Sequence, residues 1–343
     1  MTTTSPPEEH PGAAAPAEAS RPPRVGIVGT GGISRAHLPG WTELGAELHC
    51  YSQAGAEEFA AESGATVHST LEELLAAVDV VDVSTPTPAH PEIVRAALDA
   101  GKDVICEKPL ALDPAEARDL VEHAEKAGRR LFPAHVVRYF PQYAAAKRAI
   151  DTGAVGNLAV LRFERTGSLP SREWYADEEL SGGIVMDQMI HDIDQALWMA
   201  GPVSTVYAQQ AIAPSDSAVR TAHVVLTHRS GVLSHCRGFW GPAGTAFRYT
   251  FDLAGDAGRL QYDSAGDSGI VFDDVASSRQ SSGDGFLPDV SVLADPYAAE
   301  IVDFMTALRT GAPTRVEAAD GALAVEVSRA ALDSLRTGRS ITC

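Results

Sequence analysis

Cysteine is scarce: the four in 343 residues, Cys50, Cys106, Cys236 and Cys343, stand far apart and form no C-x-x-C pair. Neither a zinc knuckle nor a disulfide framework is expected, and a reducing cytoplasm fits best. Positive charge is also short, with 27 Lys and Arg against 46 Asp and Glu and a formal net charge of −19. Without a basic run, the chain has no nucleic-acid partner and no acidic membrane surface to expect, since both require clustered cations. No stretch approaches the ~18 uninterrupted apolar residues of a membrane span. Residues 1–23, rich in Pro, Ala, Thr, Ser and Glu, lack the basic and apolar regions of a signal peptide and are expected to be a disordered tail. What is present, 45% hydrophobic and 21% charged residues, is ordinary for a globular chain, and the length is comfortable for two domains.

From Arg24 to about Ala134, short β-rich runs (24–28, 47–51, 78–84, 103–106 and 130–132) alternate with helical stretches. Such alternation predicts βαβ crossovers and a parallel sheet covered on both faces. Ser69-Thr70-Leu71-Glu72 and Asp113-Pro114-Ala115-Glu116 read as helix starts, and Gly64, Gly101 and Gly128 fall where helices should stop. After a helix at about 140–152 the pattern changes to long β-type runs, interrupted mainly by a helix carrying Asp187 and His191. The expected organisation is an α/β Rossmann domain over 24–139, then an α+β domain over 140–343. Residues 221–228 and 232–240 flank Arg-Ser-Gly and predict a hairpin, and helices are expected near 296–310 and 319–335.

Val25-Gly26-Ile27-Val28-Gly29-Thr30-Gly31-Gly32-Ile33-Ser34 runs a strand into G-x-G-x-x-S and then a helix, a dinucleotide fingerprint with Ser34 at the helix-packing position. Gly29 permits the tight turn, Gly31 lets the backbone approach a pyrophosphate, and the helix N-terminus supplies N–H donors. The acid usually found ~20 residues further on is missing, and Tyr51-Ser52-Gln53 stands in its place. An acid there would hold the ribose hydroxyls of NAD and repel a 2′-phosphate. Ser52 and Gln53 do neither strongly, so NAD or NADP is admissible with a slight lean to NADP, although no arginine follows to clamp the phosphate.

Cys106-Glu107-Lys108-Pro109-Leu110 follows another strand at the edge where open α/β sheets bind ligands. A lysine there can present a cation to a sugar hydroxyl or a developing alkoxide, and a cis Lys108–Pro109 bond would aim it inward. Further on, Asp187, His191 and Asp194 lie at i, i+4 and i+7 of one expected helix and form one polar face, with Met186, Met189, Ile190, Ile193 and Leu197 opposite. A carboxylate one turn from an imidazole can orient it and stabilise its charged form, as proton transfer requires.

These elements, with Ser84-Thr85-Pro86, Gly182-Gly183 and, near the C-terminus, Pro296-Tyr297, Glu300-Ile301, Phe304, Gly311 and Arg315-Val316, occur in an order that resembles the glucose–fructose oxidoreductase, inositol dehydrogenase and MocA (Gfo/Idh/MocA) family. The likeness spans about residues 24–340. It implies a Rossmann domain and a second domain with a large, mostly antiparallel sheet whose open face carries the substrate and often an oligomer contact, giving a homodimer or homotetramer. The catalytic residues it implies are Lys108, Asp187 and His191, with His191 taking a proton, Lys108 stabilising an alkoxide and Asp187 orienting His191. The implied cofactor contacts are Gly29, Gly31, Gly32, Ile33, Ser52, Gln53, Ser84, Thr85, Pro86, His90, Glu107, Lys108 and Pro109. For the substrate, His135 and Arg138 join the catalytic three by position in the family pattern, and Trp174 joins them because aromatic faces pack on sugar rings.

The activity so implied is NAD(P)-dependent hydride transfer at a secondary alcohol or ketone of a sugar, cyclitol or related polyol. Two other readings stay open: tightly bound cofactor used transiently for elimination, epimerisation or glycoside cleavage, and a non-catalytic dinucleotide sensor. His223, His228 and His235 have no cysteine or carboxylate to complete a ligand set, so no metal is expected. Trp174-Tyr175 and Trp240 belong either against a sugar ring or in the core.

Overall fold

The computed structural model describes residues 21–170, 173–266, 269–274 and 295–343. Most of the tail expected at 1–23 therefore lies outside the described residues. Six strands, β1 (Arg24–Val28), β2 (Glu47–Tyr51), β3 (Thr66–Val67), β4 (Val80–Val83), β5 (Asp103–Glu107) and β6 (Leu131–Ala134), form an all-parallel sheet in the order β3-β2-β1-β4-β5-β6. The two-residue β3 is too short to carry a periodic signal, and the sequence reading does not include it. The helices between strands start and stop largely where their caps predict. Thr70 accepts from Glu73 N ahead of α3 (Leu71–Ala77), and Asp113 accepts from Ala115 N and Glu116 N ahead of α5 (Pro114–Ala127). Gly64 and Gly128 close α2 (Ala56–Ser63) and α5 in the left-handed conformation.

The second sheet has eight strands in the order β13-β12-β11-β7-β10-β9-β8-β14. These are β7 (Leu158–Ser168), β8 (Val203–Ala213), β9 (Asp216–His228), β10 (Leu233–Gly241), β11 (Arg248–Gly255), β12 (Gly258–Asp263), β13 (Val271–Asp274) and β14 (Ile341–Thr342). Every pairing is antiparallel except β7 with β10. The expected hairpin is β9–β10, turning at Gly231 (φ +89°). On one face of this sheet pack α9 (Ile190–Ala200) and α11 (Ala318–Thr337). The other face presents Arg162, Tyr207, His223, Leu233 and His235.

The chain then returns to where it began. α10 (Pro296–Thr310) packs on α1 (Gly32–Glu43), and a Cβ at Gly40 would stand 2.9 Å from Ile301 Cβ. Ile301 and Phe304 are fully buried with Val25, Ile27, Trp41 and Phe59, and burial of each such side chain stabilises by roughly 1.5–3 kcal/mol. This docking brings Tyr297 and Glu300, on the first turns of α10, to the underside of the first sheet's carboxyl edge.

Candidate active site

In the strand order 3-2-1-4-5-6 the crossovers diverge between β1 and β4, and ligands bind outside the carboxyl ends there. Parallel register aligns those ends: Val28 lies beside Tyr51 and Val83, Gly29 N donates to Tyr51 O at 2.9 Å, and Ser84 N donates to Val28 O at 2.8 Å. Gly29 has φ +91°, and a Cβ on it would come 2.8 Å from Ser84 O, so glycine alone leaves this turn open. Ser34 Oγ donates to Gly31 O at 2.8 Å and is fully buried, which seats α1 against the turn. Outside lie a cavity of about 730 Å³ lined by Gly29, Gly31, Ser52 and Gln53, and one of about 470 Å³ lined by Gly32, Ile33, Glu107, Lys108, Asp187 and His191. They share Gly31, Ser84, Thr85, Pro86 and Trp174, so they run together as one groove with room for the two halves of a dinucleotide. A larger cavity of about 850 Å³ opens beside β8 and α11, but none of the candidate catalytic side chains reaches it.

Lys108 enters the smaller cavity at the end of β5, and its bond to Pro109 is cis. From the opposite wall come Asp187 and His191. Two successive left-handed glycines, Gly182 (φ +71°) and Gly183 (φ +63°), lead the chain into a π-helical turn at Val185–Met189 that continues as α9. Lys108 Nζ donates to Asp187 O at 2.7 Å and lies 3.3 Å from Asp187 Oδ1. Trp174 stacks on Tyr175 at 3.9 Å between ring centroids, and both line the same cavity.

The expected pairing of Asp187 with His191 is corrected here. Among the described residues no hydrogen bond joins them, the Asp187 carboxylate faces Lys108, and His191 Nδ1 is buried without a partner. Burial above all, then the charges of Lys108 and Arg165 and the neighbouring His135, push the His191 pKa well below its ordinary value. The imidazole is therefore held neutral, the form that accepts a proton. The single polar face is corrected too. A π turn adds a residue and sets the rest of the helix back by roughly 100°, and Asp194 points inward, bonded to Arg138 Nη2 at 2.6 Å and Nε at 2.9 Å.

Other expected contacts also move. Arg138 is buried, is held by Asp194, Asp320 and Arg315 O, and lines neither half of the groove. His135 is buried behind the site; among the described residues neither ring nitrogen has a hydrogen-bond partner, Nδ1 stands 3.9 Å from Asp194 Oδ2, and the ring lines neither half. His90 lies between Pro109 O and Thr85 O, 2.8 Å from each, so it ties two lining loops together from behind instead of facing a ligand. Pro109 stands outside the groove wall. Trp240 is in the core, and His228 turns inward to Gly201 O and Ser234 Oγ while His223 and His235 face outward.

Several groups were missed by sequence reasoning. Under the groove His37 Nδ1 lies 2.9 Å from Asp82 Oδ2 and His37 Nε2 lies 3.3 Å from Glu107 Oε1, while Trp41 Nε1 donates to Asp82 at 2.8 Å. Burial opposes a charge on His37, but the flanking Asp82 and Glu107 outweigh it and raise its pKa well above the ordinary value. Glu107 Oε2 in turn accepts from Lys108 N at 3.1 Å. Nearby, Glu300 is fully buried with no hydrogen-bond partner for either oxygen among the described residues, and burial, then the Glu107 charge, drives its pKa well up. Behind His191, Arg165 pairs with Asp192 at 2.9 Å. Two of these carried a signal. Asp82 interrupts an otherwise all-valine buried strand, and Arg165 falls on the inward parity of Leu161 and Phe163. Glu300 entered only as part of the family-like C-terminal pattern, without a role, and His37 carried no signal.

The sequence matches the family model "Oxidoreductase family, NAD-binding Rossmann fold" (GFO_IDH_MocA) over residues 23–135 and "GFO/IDH/MocA C-terminal domain" over residues 143–261. A myo-inositol 2-dehydrogenase of Thermotoga maritima is 29% identical over 274 residues, 77% of this chain and 79% of that protein. An inositol 2-dehydrogenase of Rhizobium meliloti is 26% identical over 341 residues, 93% of this chain and 98% of that protein. A crystal structure of a probable dehydrogenase from Thermotoga maritima superposes with a TM-score of 0.79 at 28% identity, covering 93% of this chain and 98% of that one.

Proposed function

This chain belongs to the Gfo/Idh/MocA oxidoreductase family, and on that premise we propose that it transfers hydride between a nicotinamide dinucleotide and a secondary alcohol, or matching ketone, of a sugar, cyclitol or related polyol. The observation that carries the proposal is the convergence of Lys108, Asp187 and His191 on one cavity continuous with the glycine-turn groove. Gly29, Gly31, Ser84 and Thr85 would hold the dinucleotide, whose nicotinamide ring, when bound, supplies the hydride chemistry. In the oxidative direction the neutral His191 ring takes the proton of the substrate hydroxyl. The Lys108 ammonium stabilises the alkoxide that develops as the proton leaves. Asp187 holds that ammonium in place through both its carbonyl and its carboxylate. The Trp174–Tyr175 stack gives a sugar ring an apolar wall.

The buried free thiols of Cys50, Cys106 and Cys236 fit a cytoplasmic enzyme. The face of the eight-stranded sheet that no helix among the described residues covers fits a homodimer or homotetramer.

The test is a screen of sugars, inositols and sugar acids with each dinucleotide, following absorbance of the reduced nicotinamide. On a verified substrate, Lys108→Ala and His191→Ala are each expected to lose on the order of 10²- to 10⁴-fold in kcat without unfolding. Near wild-type turnover in either variant would refute the role given to that residue.

A further inference from the structure

Among the described residues lining the 730 Å³ half of the groove, Arg35 is the one cation and Glu58 the one carboxylate. Arg35 comes from the second turn of α1 and reaches the cavity that Ser52 and Gln53 also line, so an arginine does stand near the ribose side after all. In a dinucleotide fold an arginine so placed accommodates a 2′-phosphate. Here it is already engaged. Arg35 Nη1 donates to Thr30 O at 2.8 Å and Gly31 O at 3.1 Å, Nε donates to Glu62 Oε2 at 2.7 Å, and Nη2 donates to Glu62 Oε1 at 3.3 Å. A guanidinium has about five N–H donors and no acceptor, and the remaining one faces Glu58 Oε1 at 3.7 Å.

Glu58 and Glu62 lie one turn apart on α2, so a single helix face supplies both carboxylates. Two negative charges against one positive leave the cluster net negative where a 2′-phosphate would arrive. The N-terminus of α2 offers no relief, because Glu57 and Glu58 already occupy its first turn. Ser52 gives no free donor either, since its hydroxyl donates to Ala54 O at 2.8 Å.

We infer that Glu58 and Glu62, by holding Arg35 and leaving excess negative charge beside it, discriminate against a 2′-phosphate in place of the absent strand-end carboxylate, so that the protein selects NAD over NADP. The lean to NADP drawn from Ser52 and Gln53 is thereby reversed. This inference rests on the reading that the glycine-turn groove binds a nicotinamide dinucleotide. Glu58 and Glu62 are specificity-determining residues, remote from the reacting atoms.

The experiment is calorimetric titration of the full chain, without substrate, with NAD, NADP, 5′-AMP and adenosine 2′,5′-bisphosphate at low and high salt. For the wild type, NAD is expected to bind on the order of tenfold more tightly than NADP at low salt, 5′-AMP more tightly than the bisphosphate, and both gaps should shrink with salt. Glu58→Gln/Glu62→Gln should close or invert the NAD:NADP ratio, and Glu62→Gln alone should move it part of the way. Adding Arg35→Gln to the double variant should remove the gained NADP affinity, which identifies Arg35 as the released group. A wild type that binds NADP as tightly as NAD, or a folded double variant with an unchanged ratio, overturns the inference. If neither dinucleotide nor either fragment binds, the cofactor reading beneath it fails instead.

Discussion

Burial of the His191 ring first, then the charges of Lys108 and Arg165 and the second imidazole of His135, with no carboxylate bonded to it among the described residues, keep its proton affinity low before any ligand arrives. The consequence is a pH profile. A lowered pKa keeps the ring neutral, and able to accept a proton, at pH values where an ordinary histidine of pKa ~6.5 is half charged. In the oxidative direction the acid limb of kcat/KM is therefore expected to fall below pH 6.5, measured with a substrate whose own groups do not titrate there. An apparent acid pKa above 6.5 would sink the assignment of His191 as the base, or show that Asp187 swings to it when substrate binds. Lys108, Asp187 and His191 were all legible as candidates in the sequence. Which of them pairs with which was not, because the partner of Asp187 lies 79 residues away and spacing along a helix reports only neighbours on that helix.

Secondary elements position these side chains through two local departures from regular geometry. The first is the glycine turn after β1. Gly29→Ala would set a Cβ against the Ser84 carbonyl at a φ of +91°, a conformation costing about 1–3 kcal/mol for a residue with a side chain. It is expected to lower the melting temperature modestly and to weaken dinucleotide binding at least ~10-fold, because the shift needed to relieve the contact moves the groove floor. Unchanged binding by titration would show that the turn has slack. The second departure is the π turn ahead of α9. The motif there was plain, but a period of 3.6 was the only ruler applied, and the added residue of a π turn rotates everything downstream. Asp194, about one turn beyond His191 on the regular α9, anchors Arg138 in the interior, and Arg138 is lost as a substrate contact.

At the scale of the whole molecule, among the described residues the helices α9 and α11 cover one face of the eight-stranded sheet and leave the other with Tyr207 and Leu233 at 36% and 40% exposure among charged neighbours. A face of that extent built from strands of up to 13 residues favours a protein partner over water. Sedimentation or light scattering at micromolar concentration should report a multiple of the 36.1 kDa chain. A clean monomer with full activity would leave the sheet face to solvent and refute the packing argument.

The sequence by itself determined the alternating α/β segment, the glycine turn, the helix caps, the β9–β10 hairpin and the identity of the three candidate catalytic side chains. All but the last rest on local chemistry, namely backbone freedom at glycine, capping hydrogen bonds and side-chain period within one element, whereas the three side chains were brought together as one set by the family resemblance. Only the tertiary structure decided that α10 returns to α1 and brings Glu300 and Tyr297 beneath the site, that Asp82, His37 and Glu107 share one buried network, and that Glu58 and Glu62 close on Arg35. Those are meetings between elements tens to hundreds of residues apart, set by which apolar faces pack together, and the charges that share the resulting interior are neighbours in space with no spacing in the chain to announce them.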